Sequence, residues 1–529
     1  MTTTVARAAV SRASVRLHMV GEPSRVAVRT AALTAGVGWT AVMLLRLLLG
    51  GVVGMGDDGN GDRLLCMFGV VGSHPWNANP SAHVYPTWVP HTYYGEACGV
   101  KESGEPYYSS QLLVLGLAKT LTPLLGLPGA LDLRAAGFVL ALAFGAIIAL
   151  LVTLLPGPLW LRLVATGGIG LVMCDSAFAD WFISPYSEVA GMVGLLLLCP
   201  ALLLLWRSPI APLSGVVLTT AAVLFAMTAK TQMLSVLPVA MLALLWLPSA
   251  RRKNNKAAAA NAAAKDNSAQ QRLKRWLAVR WPALIACVLL CGVAVGFTAT
   301  QPKRLNQIVW YDAVFLEMLP HSPDPMGDLK ALGADPRLVT SMNTVIFDPN
   351  SAARTPYWDD FKRNVTPAKI MLHFLKHPTR LVGMGARGLQ GMTNPTLHHI
   401  GSYPADSGHQ PFAKERRIVV VTKIFEFFRS VPALIPLLWL GTIVLGAVLA
   451  SRTWARQSAR AVGRLAVCLV ITLLLQFGMV IMTEGASDLN KHLITADFLT
   501  ALCIPLSALC FWLLYRREHA MEPEGPQAG

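Results

Sequence analysis

The chain has 529 residues, of which 54% are hydrophobic and only 14% are charged. Its mean hydropathy of +0.49 lies far above that of an average soluble domain, which excludes an ordinary soluble protein and predicts a multi-pass membrane protein. The formal net charge of +16 does not indicate nucleic-acid binding, because many of the basic residues lie in short connections between apolar segments.

The chain begins with a basic stretch, residues 1–30, that contains Arg7, Arg12 and Arg16. The apolar segment that follows is longer than the hydrophobic region of a signal peptide and ends without a small-residue cleavage site. We therefore predict that this segment is a retained membrane helix and that residues 1–30 are cytoplasmic.

Ten apolar segments approach the length of about 20 residues that a bilayer-spanning helix needs. We therefore predict an all-α polytopic membrane protein with about ten transmembrane helices. The closely spaced pairs around Asp180 and Lys230 could each form a re-entrant hairpin instead. The ten segments are 31–54, 132–155, 161–179, 189–206, 211–229, 232–249, 282–300, 431–450, 465–483 and 493–514.

Short connections rich in Lys and Arg predict the orientation, because such connections lie on the cytoplasmic side. With the N-terminus inside, Arg162, Arg207, the basic residues of 250–280 and the tail 516–529 are cytoplasmic. Residues 250–280 include an alanine-rich, low-complexity stretch to which we assign no chemistry. The pattern predicts a plasma-membrane protein with both termini in the cytoplasm and with attraction to anionic membrane lipids.

Two long connections then lie outside the cell, at 55–108 and 301–430. The first lies within an N-terminal transmembrane region, 31–300, and the second precedes the C-terminal transmembrane helices, 431–515. Loops as long as 301–430 usually carry function or fold on their own, and the helical spacing of 305–318 and 369–377 predicts a small helical extracytoplasmic domain. Residues 109–125 predict an amphipathic helix at the membrane interface.

The first outer loop opens on Gly56-Asp57-Asp58-Gly59-Asn60-Gly61-Asp62-Arg63. Three carboxylates cannot lie in hydrocarbon, since each buried charge costs several kcal/mol, so the segment lies in water at the membrane edge. The glycines allow a turn that presents the carboxylates. The turn either simply ends a transmembrane helix or carries a catalytic base.

Polar residues occupy four separate turns at the predicted outer ends of helices. Each turn alone is compatible with ordinary helix capping, but the four together predict a shared cavity at the outer leaflet. The residues are Asp57, Asp58 and Asp62; Asp175, Asp180, Tyr186 and Glu188; Lys230 and Gln232; and Glu484, Asp488, Lys491 and His492.

An enzyme that uses a lipid-phosphate sugar donor needs a carboxylate to take the proton of the acceptor hydroxyl and cations to hold the leaving phosphate. We predict Asp62 as the base, with Asp58 or Asp57 as alternatives. Lys491, His492 and Arg46 are the candidates for the phosphate. Arg46 lies about 24 Å along the first predicted span, at 1.5 Å per residue, so it could also snorkel to the outer headgroups.

Several motifs carry a family resemblance: Asn60-Gly61-Asp62-Arg63 with Met67-Phe68-Gly69, Ser184-Pro185-Tyr186-Ser187-Glu188, Ser322-Pro323-Asp324-Pro325 with Asp328-Leu329 in the 311–333 stretch, and Asp488-Leu489-Asn490-Lys491-His492-Leu493. The chain resembles the GT-C class of polyprenyl-phosphate-sugar-dependent membrane glycosyltransferases. More narrowly, it is similar to a bacterial family of glycan-biosynthesis hexosyltransferases found in surface-layer glycan clusters.

The resemblance implies a GT-C-like fold and inverting transfer of a hexose from a polyprenyl-phosphate donor to a cell-envelope glycan or lipid-linked acceptor. It also implies that an Asp of the first loop is the base and that the active site is extracytoplasmic. Some GT-C enzymes use a divalent metal and others none, and no ligand spacing here demands one. The substrate-binding candidates are Asn60, Arg63, Tyr186, Glu188, Lys230, Gln232, Asp488, Lys491, His492 and Arg46.

Of the nine cysteines, seven lie in predicted spans, whereas Cys66 and Cys98 share the first outer loop. A disulfide between these two is compatible with an oxidising compartment. The alternative is a free Cys66 buried on a helix.

A flippase or other transporter of lipid-linked glycan is the main alternative function. Transporters place ionisable residues at mid-membrane and show inverted repeats, whereas the predicted spans are nearly free of charge apart from Arg46 and no repeat is visible. An O-antigen-ligase-type transferase would depend on basic residues of the large loop. These are Arg380, Arg387, His398, His399 and His409. A nonenzymatic scaffold would leave the acidic cluster unexplained.

Overall fold

The structure is a computed structural model that describes residues 23–55, 61–70, 92–93, 106–207, 212–246, 269–397, 400–403, 408–410, 413–453, 455–484 and 488–520. The described chain is mostly helical. The N-terminal half contains α1 (Arg25–Leu48), α2 (Asp62–Leu65), α3 (Gln111–Leu121), α4 (Leu133–Leu154), α5 (Leu159–Cys174), α6 (Ser176–Ala179), α7 (Ser187–Trp206), α8 (Leu213–Met227), α9 (Val236–Leu245) and α10 (Ala269–Thr300).

The second half contains α11 (Lys303–Asp312), α12 (Pro325–Leu332), α13 (Trp358–Asn364), α14 (Pro367–Lys376), α15 (Pro378–Met392), α16 (Val420–Phe428), α17 (Leu434–Ser451), α18 (Gln457–Thr483) and α19 (Leu489–Ala520). The strands are short: β1 (Gly54–Met55), β2 (Thr92–Tyr93), β3 (Leu131–Asp132) and β4 (Ile400–Ser402). β1 pairs antiparallel with β4, and β2 pairs antiparallel with β3.

Among the described residues, seven helices are long and apolar enough to cross a membrane. An eighth span results if α5 and the segment Ser176–Ile183, which meet at 58°, are counted as one. The all-α polytopic fold is therefore confirmed, but the prediction of about ten spans is too high. The seven are Arg25–Leu48, Leu133–Leu154, Ser187–Trp206, Arg280–Thr300, Leu434–Ser451, Gln457–Thr483 and Leu489–Arg516.

Two of the predicted spans, 211–229 and 232–249, are shorter helices in the structure. α8 has 15 residues, a length of about 22 Å at 1.5 Å per residue, whereas the hydrocarbon core is about 30 Å thick. The partner segment, Thr231–Leu245, begins as a 3₁₀ turn, Thr231–Ser235, before α9. The break between the two helices brings Lys230 into contact with polar side chains. A continuous apolar helix would not supply such partners.

The predicted span 161–179 is bent because Asp175 ends one helix and begins the next. Its carboxylate accepts a hydrogen bond from the Ala177 backbone at 3.1 Å and so caps α6. The same carboxylate accepts bonds from Val421 N at 2.7 Å and Thr422 Oγ1 at 2.5 Å. Asp175 therefore fixes the bend and fastens it to the start of α16.

The membrane helices share one large hydrophobic core, and residues 311–384 contain a second one. Tyr311, Phe315, Phe361 and Phe374 are fully buried in the second core. Ile481 and Met482, near the C-terminal end of α18, pack against it. The second core therefore lies at the end of the helix bundle where α18 ends, and that end also carries most of the polar residues described next.

Candidate functional site

Five polar side chains meet at helix ends: Glu188 begins α7, Lys230 and Gln232 lie at the break between α8 and α9, Glu484 follows α18, and His492 lies in the first turn of α19. We call Glu188, Lys230, Gln232, Glu484 and His492 the helix-end cluster. Three of the four predicted polar turns therefore contribute to one site.

Lys230 is the central cation of the helix-end cluster. Its Nζ lies 3.1 Å from Glu188 Oε1 and 2.7 Å from His492 Nδ1. Glu188 also accepts a bond from Ser187 Oγ at 3.4 Å. The Lys230 ammonium thus joins three separate helical segments through side chains that sequence analysis had placed in separate turns.

The contacts of His492 assign its protonation. Lys230 and Gln232 Nε2, which lies 3.1 Å from Nδ1, are both donors, so Nδ1 is the acceptor. Nε2 then carries the hydrogen and faces Glu484 Oε2 at 3.3 Å. Gln232 Nε2 also donates to Glu484 Oε1. His492 is therefore a neutral imidazole held between a cation and a carboxylate.

Burial and neighbouring charges shift the pKa values of two members outside the spans. Burial by itself would lower the pKa of Lys230, but the carboxylates of Glu188 and Glu484 outweigh it and raise that pKa. Burial raises the pKa of Glu484, although the Lys230 ammonium and Gln232 act against the rise. Lys230 is therefore a fixed positive charge in a poorly hydrated place, which strengthens its attraction for an anion.

Lys491 adds a second cation beside the cluster. Its Nζ lies 4.5 Å from the centre of the Tyr186 ring, within the range of a cation–π interaction. Its charge acts on Glu188, Glu484 and His492. Lys491 and Lys230 therefore both face the same carboxylates.

Tyr107 connects the cluster to the first loop. The Tyr107 hydroxyl forms a hydrogen bond with Ser187, and burial raises the pKa of this hydroxyl. The charges of Lys230, Glu188 and Arg63 also act on it. Arg63 belongs to α2, where it directly follows Asp62, and its side chain is exposed. The described part of that loop thus approaches the helix-end cluster on the Tyr107 side.

Helix α3 is fastened to the break that carries Lys230. Ser109 Oγ donates to Ala229 O at 2.7 Å, Ser110 N donates to Thr228 O at 2.9 Å, and Ser110 Oγ donates to Phe225 O at 2.7 Å. These bonds satisfy carbonyls that the end of α8 leaves without helical partners. Residues 109–125, predicted as an interfacial helix, form α3 and a 3₁₀ turn, Thr122–Leu125.

Arg46 lies in a different polar group. Its Nη2 lies 2.7 Å from Asp180 Oδ1 and also contacts Glu415 Oε1, while Nε donates to Cys174 O at 3.2 Å. The guanidinium is buried, so it does not snorkel to the surface. Arg46 and Asp180, both named from the sequence, are thus engaged with each other and with Glu415, a residue that sequence analysis missed because it lies far away in the chain.

Residues 413–418 lie against the end of α1 and the bend at Asp175. Arg417 donates to Arg46 O at 2.7 Å and to the carbonyls of Gly50 and Gly51. Ser176 N donates to Ile418 O at 2.7 Å. We call 413–418 the strap. Together with the β1–β4 pairing it holds the chain immediately before the acidic motif.

The predicted bases can be located only in part. Asp57, Asp58 and Asn60 lie outside the described residues, and for Asp62 the structure describes the backbone at the start of α2 but not the side chain. On the far side of the motif, Leu64 and Leu65 are buried in the main core. Described contacts therefore hold the chain immediately before the motif, at β1, and immediately after it, at Leu64 and Leu65.

Asp488 and Asp175 have structural roles in the described contacts. Asp488 adopts a positive φ of 46°, and its carbonyl accepts bonds from Lys491 N and His492 N at the start of α19. Asp175 caps α6 and the start of α16, as described above. Neither carboxylate is part of the helix-end cluster.

Sequence analysis missed two further groups. Asp497 lies within α19, is fully buried, and neither of its carboxylate oxygens has a hydrogen-bond partner among the described residues. The expectation that the spans are nearly free of charge apart from Arg46 is therefore wrong. The second group is Asp328, His373 and His377, whose His-x₃-His spacing was visible in the sequence.

Cys66 takes part in a disulfide, so the alternative of a free Cys66 is wrong. Seven other cysteines are free. Cys98, the remaining cysteine of the sequence, lies outside the described residues.

The family model for the YfdI N-terminal transmembrane domain matches residues 22–520. The match covers most of the chain, and the chain therefore belongs to this family. No curated protein and no solved structure matches it. The narrower resemblance to surface-layer hexosyltransferases remains a prediction.

Proposed function

We propose that this member of the YfdI N-terminal transmembrane domain family is a GT-C-type membrane glycosyltransferase. It transfers a hexose, with inversion, from a polyprenyl-phosphate donor to a cell-envelope glycan or lipid-linked acceptor on the extracytoplasmic side of the plasma membrane. Family membership agrees with a glycosyltransferase-like role. The donor, the acceptor and the side of the membrane are part of the proposal.

The observation that carries the proposal is the convergence of Lys230, His492 and Glu188 at helix ends beside the first loop. A sugar linked to a membrane lipid through phosphate places the phosphate at the headgroup level, and cations at helix ends are suited to meet it there. Lys230 and Lys491 would stabilise the charge that grows on the leaving phosphate. Arg63, exposed beside Tyr107, would supply a third cation.

The acceptor hydroxyl needs a base on the opposite face of the sugar. We assign this role to Asp62, which begins α2, with Asp58 and Asp57, which precede it in the sequence, as alternatives. Such a base takes the hydroxyl proton while the oxygen attacks the anomeric carbon and the phosphate leaves. The reaction inverts the anomeric centre in a single displacement.

We assign the carboxylates of Glu188 and Glu484 to charge pairing with the cations and not to deprotonation of the acceptor. They balance Lys230 while the site is without donor, and His492 holds Glu484 and Lys230 in one network. An incoming phosphate would compete with these carboxylates for Lys230. A divalent metal is compatible with the acidic first loop, but none of the steps assigned here depends on one.

The test uses membranes that contain the wild-type chain, Asp62→Asn or Lys230→Met, incubated with polyprenyl-phosphate donors bearing different radiolabelled hexoses. We expect wild-type membranes to transfer label from one donor to an envelope acceptor and both variants to lose at least about 100-fold in rate. Label transfer by Asp62→Asn, Asp58→Asn and Asp57→Asn alike would rule out a first-loop base.

A flippase for lipid-linked glycan is the second candidate, and Asp497 is the observation that favours it. A buried ionisable residue within a membrane helix is a usual mark of a proton or substrate pathway. For a flippase, the substitution Asp497→Asn would trap complete lipid-linked glycan on the cytoplasmic side, whereas Asp62→Asn would not change the glycan.

A further inference from the structure

A polar group lies at the edge of the second hydrophobic core, away from the helix-end cluster in sequence. Asp328 is in α12, His373 is near the end of α14, and His377 separates α14 from α15. Asp328 and His373 are buried and His377 is half-buried. One ligand atom of each residue lies within 4.8 Å of the ligand atoms of the other two. We call these three residues the histidine cluster.

The spacing within the histidine cluster matches that of a metal site. His373 and His377 are four residues apart, and their ring centres lie 4.6 Å from each other. Two histidines at this spacing on a helix are a known zinc-binding arrangement, and here His377 directly follows the last residue of α14. His373 Nε2 lies 3.4 Å from Asp328 Oδ1. Two ligands bound to one tetrahedral zinc at about 2.0–2.1 Å are separated by roughly 3.4 Å, so these two atoms need little movement.

We propose that Asp328, His373 and His377 bind a divalent transition metal, with zinc the best chemical match. Two imidazoles and one carboxylate form a ligand set that zinc uses, and a water molecule would complete four-coordination. The ion would join α12 to the junction of α14 and α15. The proposal does not depend on the proposed glycosyltransferase activity.

Arg380 is the competing partner within this group. Its Nη1 donates to Asp328 Oδ2 at 2.6 Å and lies 3.0 Å from His373 Nε2, and its Nη2 lies 3.4 Å from Ser322 Oγ. Metal binding requires Arg380 to give up only the contact with His373, because Asp328 Oδ1 is separate from the oxygen that Arg380 holds. The remaining Arg380–Asp328 bond would orient the ligating carboxylate, as outer partners of metal ligands commonly do.

The competing explanation is a metal-free network in which Arg380 alone holds Asp328 and His373 together. The two explanations differ at His377, which stands outside the hydrogen bonds that Arg380 makes to Asp328 and His373. Removal of the His377 imidazole leaves that network intact but removes a metal ligand. His377 is therefore the informative position.

The experiment uses the full-length chain, purified in detergent through a tag without histidines, stripped with a chelator and then incubated with Zn²⁺ before gel filtration. Bound zinc is measured by elemental mass spectrometry for wild type, His377→Ala and His377→Gln. The matched control is His321→Ala, because His321 lies in the same region but contacts Glu317 instead.

We expect one zinc per chain in wild type and His321→Ala, and a drop in zinc affinity of about tenfold or more in both His377 variants. We also expect Zn²⁺ to raise the melting temperature of wild type but not of the His377 variants. Wild type without zinc, or equal zinc retention by all four chains, would overturn the proposal. Loss of zinc in His321→Ala as well as in the His377 variants would also overturn it, because binding would then not depend on this cluster.

Discussion

Lys230 Nζ lies 2.7 Å from His492 Nδ1, although the two residues are 262 positions apart in the chain. The contact joins the break between α8 and α9 to the first turn of α19, and it lies next to the ion pair of Lys230 with Glu188. Since an ammonium can only donate, it fixes His492 as an acceptor at Nδ1. Substitutions of Lys230 can therefore test separately what this residue contributes to the stability of the protein and to its proposed activity.

The substitution Lys230→Met should leave Glu188 buried without its cation. Removal of one member of a buried pair costs about 3 kcal/mol or more, so we expect a lower melting temperature and loss of hexose transfer. The double substitution Lys230→Met with Glu188→Gln removes both charges and should recover most of the stability but none of the transfer. Recovery of transfer by the double variant would contradict a phosphate-binding role for Lys230.

Gly401 of β4 should not tolerate alanine. It has a φ of +74°, and a Cβ at this position would collide with the Asp180 carboxylate that pairs with Arg46. Gly408 is a matched control, because its φ is +76° but a Cβ there meets nothing within 4 Å. Both alanine variants incur the cost of a left-handed backbone, about 1 kcal/mol, and only Gly401→Ala adds the collision. Thermal unfolding should show a clearly larger loss for Gly401→Ala, and equal losses would contradict the close packing of β4 on Asp180.

Lys414 of the strap should give the protein a pH-dependent stability. Burial lowers the pKa of Lys414 from its ordinary value of 10.5 to about 7, and its ammonium donates to Ile400 O at 2.6 Å. Between these two values the unfolded chain binds more protons than the folded chain, so this residue makes stability rise as the pH rises from about 7 toward 10. Below pH 7 both states are protonated and the contribution is constant.

The measurement compares melting temperatures from pH 6 to 10 for wild type, Lys414→Met and Lys423→Met, where Lys423 is an exposed lysine of α16. The rise above pH 7 should be smaller in Lys414→Met and unchanged in Lys423→Met. Identical profiles for all three chains would show that Lys414 is not buried as described.

Asp497 distinguishes the two candidate functions. Its carboxylate is buried in α19 without a hydrogen-bond partner among the described residues, and none of the steps of the proposed transfer uses it. We expect Asp497→Asn to complement a deletion strain as well as wild type does, as judged by the envelope glycan. A normally inserted Asp497→Asn chain that leaves finished lipid-linked glycan inside the cell would favour the flippase.

The apolar segments predict the fold class because a membrane helix is a continuous run of mostly apolar residues, which is visible in the local sequence. The number of spans was overestimated where two segments met at a polar residue. Asp175 bends one predicted span by capping a new helix, and Lys230 occupies a break between two helices that are too short to cross alone. Such breaks are stabilised by contacts with residues that are distant in sequence. A hydropathy profile does not show these contacts.

The candidate site was predictable to the extent that its members lie at helix ends. Positions in predicted turns indicate every member of the helix-end cluster, and the structure brings these members together. Arg46 is a candidate for the phosphate because of its position along the first span, and the sequence does not show its contact with Glu415, 369 residues away. Asp497 is different, because the apolar residues around it in the sequence give no sign that its carboxylate is buried without a hydrogen-bond partner among the described residues.

The most direct test of the proposed function is the envelope glycan and polyprenyl-phosphate-sugar profile of a deletion strain complemented with wild type or Asp62→Asn at equal membrane levels. We expect wild type to restore the glycan, whereas Asp62→Asn should leave the glycan without one hexose and cause the corresponding polyprenyl-phosphate hexose to accumulate. A complete glycan without donor accumulation in Asp62→Asn, and likewise in Asp58→Asn and Asp57→Asn, would contradict it.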